Sequence, residues 1–330
     1  IVMSKTHAGK ADALNTGLNF SRTPYVCTLD ADSLIEQDAL LRLMKPIVRS
    51  TREVVVSGGI VCIRNGCKVV RGRVDEARLP ASWLERLQVV EYLRSFLFGR
   101  AGWNLMRGTL VASGALAVFH RQRVVNAGGF SGSTVTEDTE IVVRLQRDAA
   151  LRHDPMEIAF SFAPVCWTQC PASLSMLARQ RRRWQLGLCQ TLWRNLDMLF
   201  NPKFGVLGLC SFPFHLYVEC VGSAVEFLGY LIVPLAFALH LALWSFYVPL
   251  LLLSLLYAAF LSVGAILLEE LTCRRYPSRR DLYLLLAGAL IDNFGYRQLI
   301  LYYRVQGLAR FLTGFNGWEK VAHTADSGAA

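Results

Sequence analysis

Between Phe204 and Leu268 the sequence has no lysine or arginine, and its acidic residues there are Glu219 and Glu226 alone. Charge is scarce throughout, 18% of the 330 residues, against roughly 25% in an ordinary soluble domain. With 53% hydrophobic residues, this excludes a disordered chain and argues against an all-soluble one. Cys-x-x-Cys is absent, and the Cys62/Cys67 and Cys166/Cys170 pairs lack histidines at zinc-ligand spacing. The nine cysteines, an odd number, therefore read as buried free thiols of a reducing compartment, not as a metal site or disulfide frame. An initiating methionine is also missing. The start, Ile1-Val2, reads as that of a fragment whose signal peptide or N-terminal span would lie upstream.

What charge there is lies unevenly. Phe204 onward carries eight basic and eight acidic residues, so the whole excess of +10 falls in the first 203 residues. A basic part joined to a neutral, apolar part points to work at a membrane surface or on an anionic substrate. The first 165 residues alternate in pattern. Helical spacing over 9–20, 38–48, 83–98 and 137–145 is interleaved with strand-like runs over 25–29, 53–63, 110–119 and 158–163. This predicts an α/β class with a mostly parallel sheet, whose ligand sits beyond the carboxyl ends of the strands. Residues 173–199 read as an amphipathic helix at a bilayer interface, or as a basic solvent-facing helix. Residues 222–240 and 244–268 read as spans. Residues 205–221, with Pro213, His215 and Glu219, and 282–303, with Asp292, Asn293 and Arg297, read as interfacial or re-entrant. Arg274, Arg275, Arg279 and Arg280 place the loop between the last span and 282 on the cytoplasmic side. The division expected is 1–172 cytoplasmic and catalytic, 173–203 an interface helix, 204–323 a membrane region with two spans, and 324–330 a disordered tail. Glu219, Glu226 and Asp292 are either channel lining or ion-paired structural residues.

Four constellations carry chemistry. Asp30-Ala31-Asp32 ends an apolar strand, and two carboxylates one residue apart can face Mg²⁺ or Mn²⁺ together; alone, the pattern is more often an ordinary turn. Lys10 follows Gly9 at a helix start, where a cation does not help the helix dipole but can approach a phosphate; alone it reads as a surface lysine. Glu137 and Asp138 begin a helix behind the glycine-rich stretch 128–133, which suits a general base behind a mobile loop or acids that satisfy the dipole. Gln180-Arg181-Arg182-Arg183-Trp184 sets bidentate phosphate donors beside a flat apolar face fit for a sugar ring, or is a basic interfacial helix with a Trp anchor.

In this order, the motifs GKADALNTGL (9–18), DADS (30–33), SGA (113–115), GGF (128–130), TED (136–138) and QRRRW (180–184) resemble the processive, membrane-embedded family 2 glycosyltransferases: the cellulose, hyaluronan and poly-N-acetylglucosamine synthases. The stretches at 91–100, 295–307 and 317–321 are similar to a bacterial branch described only as glycosyltransferase. The resemblance implies a GT-A domain followed by interface helices and transmembrane helices, in a multi-pass protein of the cell membrane. It implies an inverting hexosyltransferase that moves sugar from UDP-N-acetylglucosamine or UDP-glucose to a growing β-linked polysaccharide. Asp138, with Glu137, would supply the general base. Lys10, Asn15, Asp30, Asp32 and Arg183 would bind the donor. Asp32 and Asp30 would hold the metal. Ser113, Gly114, Gln180 and Trp184 would bind the acceptor. The partners implied are the donor, a polysaccharide or lipid acceptor, the bilayer and an accessory export subunit; no nucleic acid is expected. Single transfer to a membrane lipid is the alternative, and a non-catalytic binding subunit the lesser one. Two departures stand out. The strand and Asp-rich turn that begin the family's GT-A domain are absent, so the fragment alone is expected to be inactive. Residues 168–171 read Thr-Gln-Cys-Pro, where many relatives carry Glu in place of Gln169.

Overall fold

The computed structural model describes residues 1–241 and 244–314; the stretch 317–321 and the tail from Thr324 lie outside the described residues. Its centre is a five-stranded sheet in the order β1–β6–β3–β7–β2. The strands are β1 (Tyr25–Leu29), β2 (Leu34–Ile35), β3 (Glu53–Ile63), β6 (Leu116–His120) and β7 (Met156–Thr168), with a separate hairpin of β4 (Lys68–Val70) and β5 (Arg73–Glu76). Every residue of β3 from Val54 to Ile63 is buried, as befits a central strand covered on both faces. Its Val-Val-Val run supplies the branched side chains that pack there.

The sheet is mixed rather than mostly parallel. Only β3 and β7 run parallel, while β6 lies antiparallel to both β1 and β3, and β2 antiparallel to β7. Strand–helix alternation gives parallel pairs only when each helix carries the chain back across the sheet. Between β3 and β6 it does not: β6 enters beside the middle of β3 and runs back toward its start, pairing Ala117 with Gly58 and Phe119 with Val56. The expected strand over 110–119 is correspondingly shorter, with 110–115 forming the loop that enters it.

Helices cover both faces. On one, α1 (Lys10–Phe20), α5 (Arg121–Asn126) and α6 (Glu137–Leu151) bury Leu18, Val124, Ile141 and Val142 against Val55, Val56 and Phe119. On the other lie α2 (Ala39–Arg49) and α3 (Trp83–Leu93), the latter continuing through a wide π-helical turn (Arg94–Arg100) into α4 (Ala101–Leu105). This second core does not stop at the sheet domain. It runs from Val90 and Leu93 to Ala265 and Ile266 of α9 (Trp244–Thr272) and to Leu285 and Ala289 of α10 (Arg279–Ile291).

Among the described residues two helices are long and apolar enough to cross a membrane, Leu207–Ala238 (mean hydropathy 1.8) and Trp244–Thr272 (2.4). The first is longer than the sequence pattern indicates. Residues 207–221, expected to lie apart at the interface, continue directly into α8 (Gly222–Ala238). Pro213 sits between two π-helical stretches, Leu207–Ser211 and Phe214–Val221, and such widened turns accommodate its missing N–H without breaking the helix. No third such helix forms over 282–303, because Phe294 and Gly295 leave helical geometry between α10 and α11 (Arg297–Leu312). The nine thiols are free. Five are buried, whereas Cys27 and Cys210 are exposed, the latter on the first candidate span.

Ion pairs fasten the apolar helices to the sheet domain and to one another. Arg94 donates to Asp292 at 2.8 Å and to Ser262 of α9 at 2.7 Å. Arg304 pairs with Glu219 at 2.8 Å and Arg297 with Glu226 at 3.1 Å. The three acids that sequence left open between channel lining and structural pairing are thus all partnered by arginine. Asp292 is 1% exposed, so it depends on its partner. Arg94→Met should lower stability by about 3–5 kcal/mol, since removing one member strands a buried charge. Arg94→Met/Asp292→Leu should recover most of that loss, measured as thermal unfolding in detergent.

Candidate active site

The site gathers where β1 ends. Asp30 follows the last residue of β1, and its N–H donates to Ala115 O at 3.1 Å, which sets the Asp30–Asp32 turn beside the Ser113–Gly114–Ala115 entry to β6. Ser113 turns its hydroxyl back to accept from Ala115 N at 3.4 Å. From the opposite side comes Lys10, the first residue of α1. Its Nζ lies 2.6 Å from Asp30 Oδ1 and 2.9 Å from Glu137 Oε1. Asp138 stands next to both: a Cβ on Gly114 would come within 2.5 Å of Asp138 Oδ2 and 3.4 Å of Lys10 Nζ. A larger residue there would displace the Asp138 carboxylate, so the Gly114 backbone forms one wall of the acid–lysine cluster.

The electrostatics follow from this crowding. Burial disfavours the Lys10 charge, but Glu137, Asp30 and Asp138 outweigh it and hold its pKa above the ordinary lysine value. The Asp138 carboxyl is pushed up, first by desolvation and then by Glu137, while Lys10 and the Thr139 N–H, which donates to it at 2.9 Å, pull it down. Asp30 is likewise raised, by burial first, with Lys10 opposing. A raised carboxyl is a better proton acceptor near neutral pH than a solvated one.

Asn15 spends its whole amide on Phe130, donating to its carbonyl at 2.8 Å and accepting from its N–H at 2.7 Å. The loop expected to be mobile is fastened at three places. Besides Asn15, Arg144 donates to Ala127 O and to Gly129 O, and Arg194 donates to Ser133 Oγ at 2.6 Å and to its carbonyl at 2.7 Å. Two consecutive glycines gave the chain freedom to turn there, and side chains distant in sequence take that freedom away.

Gln180, Arg183 and Trp184 lie on α7 (Leu174–Arg194), one to two turns before Gly187. At Gly187 a Cβ would collide with the Thr136 side chain, and farther along Gln190 Oε1 accepts from Val135 N at 3.1 Å. The helix therefore passes against the residues that introduce Glu137 and Asp138. Trp184 is exposed on one face and covered on the other by Arg181, whose guanidinium sits 4.4 Å from the ring centroid. Arg181 is in turn held by Glu91 at 2.8 Å, which also accepts from Tyr296 OH at 2.6 Å.

Two participants escaped sequence reading. Arg100 stacks on Phe96 at 4.1 Å, and burial lowers its pKa to about 10 while the charge of Asp138 opposes. Its only signal was membership of the 91–100 stretch. Gly187 was visible only as the first glycine of a long helix.

Among the described residues no group of three or more His, Cys, Asp or Glu side chains is set to hold a metal ion by itself. Asp30 and Asp32 nevertheless offer two hard oxygen donors. Mg²⁺ is commonly held by one or two carboxylates, its other positions filled by phosphate oxygens and water. With Glu137 and Asp138 the acids outnumber Lys10, so the donor set fits a divalent cation.

Residues 25–267 match the glycosyl transferase family group 2. The chain belongs to this family. Among similar proteins is the poly-beta-1,6-N-acetyl-D-glucosamine synthase of Staphylococcus aureus (strain COL), 25% identical over 222 residues, which are 67% of this chain and 48% of that one. The synthase of the same description from Staphylococcus epidermidis is 23% identical over 230 residues, 69% and 50% of the two chains. The chain thus spans about half the length of the curated relatives it matches. A solved structure, the mannosyltransferase PcManGT from Pyrobaculum calidifontis in complex with GDP-Man and Mn²⁺, is 19% identical, with a TM-score of 0.48 over 94% of this chain and 68% of its own. A GT-A-like α/β domain with a mixed sheet, followed by helices, is the architecture this member of the glycosyltransferase family presents.

If Asp138 is a base whose pKa Lys10 restrains, Lys10→Met should move the acid limb of the kcat–pH profile to higher pH by about one unit. Activity would then be lost earlier as pH falls, because the base is protonated sooner. An unmoved acid limb would separate the two residues.

Proposed function

We propose that the chain is the catalytic and membrane-anchoring part of an inverting hexosyltransferase, using UDP-N-acetylglucosamine or UDP-glucose to extend a β-linked polysaccharide. The observation that carries this reading is the convergence of Lys10, Asp30, Glu137 and Asp138 against Gly114 in a member of a glycosyltransferase family. In this reading 1–172 is the catalytic domain, 173–203 an interface helix and 204–323 the membrane region. The catalytic domain and the loop with Arg274, Arg275, Arg279 and Arg280 share the cytoplasmic side, since two spans return the chain to the side it left and positive loops stay inside. An accessory export subunit fits a protein that must pass a polymer outward.

The chemistry asked of the residues is modest. The acceptor hydroxyl gives its proton to Asp138 as its oxygen bonds to the anomeric carbon, and the bond from that carbon to the diphosphate oxygen breaks on the opposite face. Glu137 and Lys10 hold Asp138 in place and set its pKa. Asp30 and Asp32 would hold Mg²⁺ or Mn²⁺, which supplies positive charge to the leaving diphosphate. Lys10 and Arg183 contribute donor contacts of the same sign. Asn15 serves the donor site by holding the 128–130 loop. Trp184 offers its open face to the acceptor sugar, with Gln180 and the Ser113–Gly114 backbone beside it.

The test uses membranes that carry the full-length protein, supplied with each UDP-sugar and a divalent cation, with product length as the readout. Long, glycosidase-sensitive chains from one donor are expected. One sugar on an extractable lipid would instead establish the lipid-acceptor reading. Asp138→Asn should keep UDP-sugar binding and lower transfer by about 10²–10⁴-fold, the usual worth of a general base; retained turnover removes Asp138 from that role. Trp184→Ala should reduce polymer formation far more than hydrolysis of the donor, and equal losses would contradict its place under the acceptor.

A further inference from the structure

A cleft lies away from the site already described. About 520 Å³ in volume, it opens between the end of α6, the start of β7 and the turn that precedes the first candidate span. Arg52, Arg107, His153 and Lys203 stand exposed along it, with Met156, Phe204 and Leu207 more deeply placed. The one acid of the lining, Asp154, is paired with Arg123. Among the described residues Arg52, Arg107 and Lys203 form no ion pair with a carboxylate, so the cleft keeps a positive charge.

Its position gives that charge a meaning. Leu207 is the first residue of the candidate span Leu207–Ala238. The corner that carries Arg107 is packed on the first turns of this helix: Ser211 Oγ donates to Gly108 O at 2.5 Å, and the rings of Trp103 and Phe214 lie 5.2 Å apart. At the tip of the corner, Leu105 is 76% and Met106 51% exposed. Two bare apolar side chains beside the end of a span, with basic groups directly behind, match the layering of a bilayer surface, where acyl chains give way to phosphates.

We propose that this cleft binds the phosphate of an anionic phospholipid headgroup, with Arg52, Arg107 and Lys203 as donors and Leu105 and Met106 seated among the acyl chains. The site rests on the reading that Leu207–Ala238 crosses the bilayer. Its apolar floor and continuity with the span favour a lipid over a free phosphate.

The test begins with flotation of the full-length protein with phosphatidylcholine vesicles. Failure to float would overturn the membrane placement and the lipid site with it. Protein that floats is placed in nanodiscs of phosphatidylcholine with phosphatidylglycerol, released, and its retained lipid counted by native mass spectrometry. Retained phosphatidylglycerol is expected, falling by about tenfold or more in R52Q/R107Q/K203Q, as three basic side chains leave an anionic surface. Equal retention in protein that floats would overturn the lipid site alone. Should the triple variant fail to fold, R107Q, altered at an exposed turn, carries the same comparison. Glycerol phosphate and inorganic phosphate are added as competitors; displacement of the lipid by inorganic phosphate would assign the cleft to a free anion and overturn the proposal.

Discussion

A single ammonium group organises the site. Lys10 begins the first helix, Asp30 follows the first strand, and Glu137 begins a helix more than a hundred residues later, yet one nitrogen bonds both carboxylates and restrains a third, Asp138. Unpaired, these acids would repel one another and protonate. Held around one cation, they form a region that is compact, negative on balance and open to a divalent cation. The glycine wall at 114 is the steric side of the same constraint, since a larger residue would displace the Asp138 carboxylate.

Arginine does the corresponding work at larger scale. Arg94, Arg275 and Arg304 each carry a guanidinium to a carboxylate on or next to an apolar helix: Asp292, Glu269 and Glu219. Arg275 also reaches back to the sheet, donating to Cys62 at 2.6 Å. The bidentate, permanently charged guanidinium suits such partly buried pairs better than an ammonium. Because the apolar core continues from the sheet into α9 and α10, the sheet domain and these apolar helices share one packed interior rather than meeting through a linker.

Sequence made much of this legible, for reasons that differ by element. β1 and β3 are short branched runs bounded by turn residues, and the strands match their patterns closely. The acid–lysine cluster was found as separate motifs whose meeting needed three-dimensional structure. The mixed sheet was not legible, because strand direction depends on which end of the sheet the chain re-enters, and the residues between β3 and β6 carry no mark of that. The first candidate span was read too short, because Pro213 and Glu219 look like interruptions until the widened helical turns and Arg304 are seen. The glycine-rich loop was read as mobile, because Asn15, Arg144 and Arg194, which fasten it, lie far away in sequence.

The contact between Gly187 and Thr136 has an evolutionary reading. Where the helix bearing Gln180 and Trp184 crosses the entry to the helix bearing Glu137 and Asp138, the space beside position 187 is filled by the threonine side chain. The two positions are coupled by volume, so drift at one is tolerated only if the other compensates. A relative with alanine or serine at the position of Gly187 should carry a smaller residue at that of Thr136. Such correlated exchange would record, across many chains, a clearance that a single chain expresses as one missing methyl group.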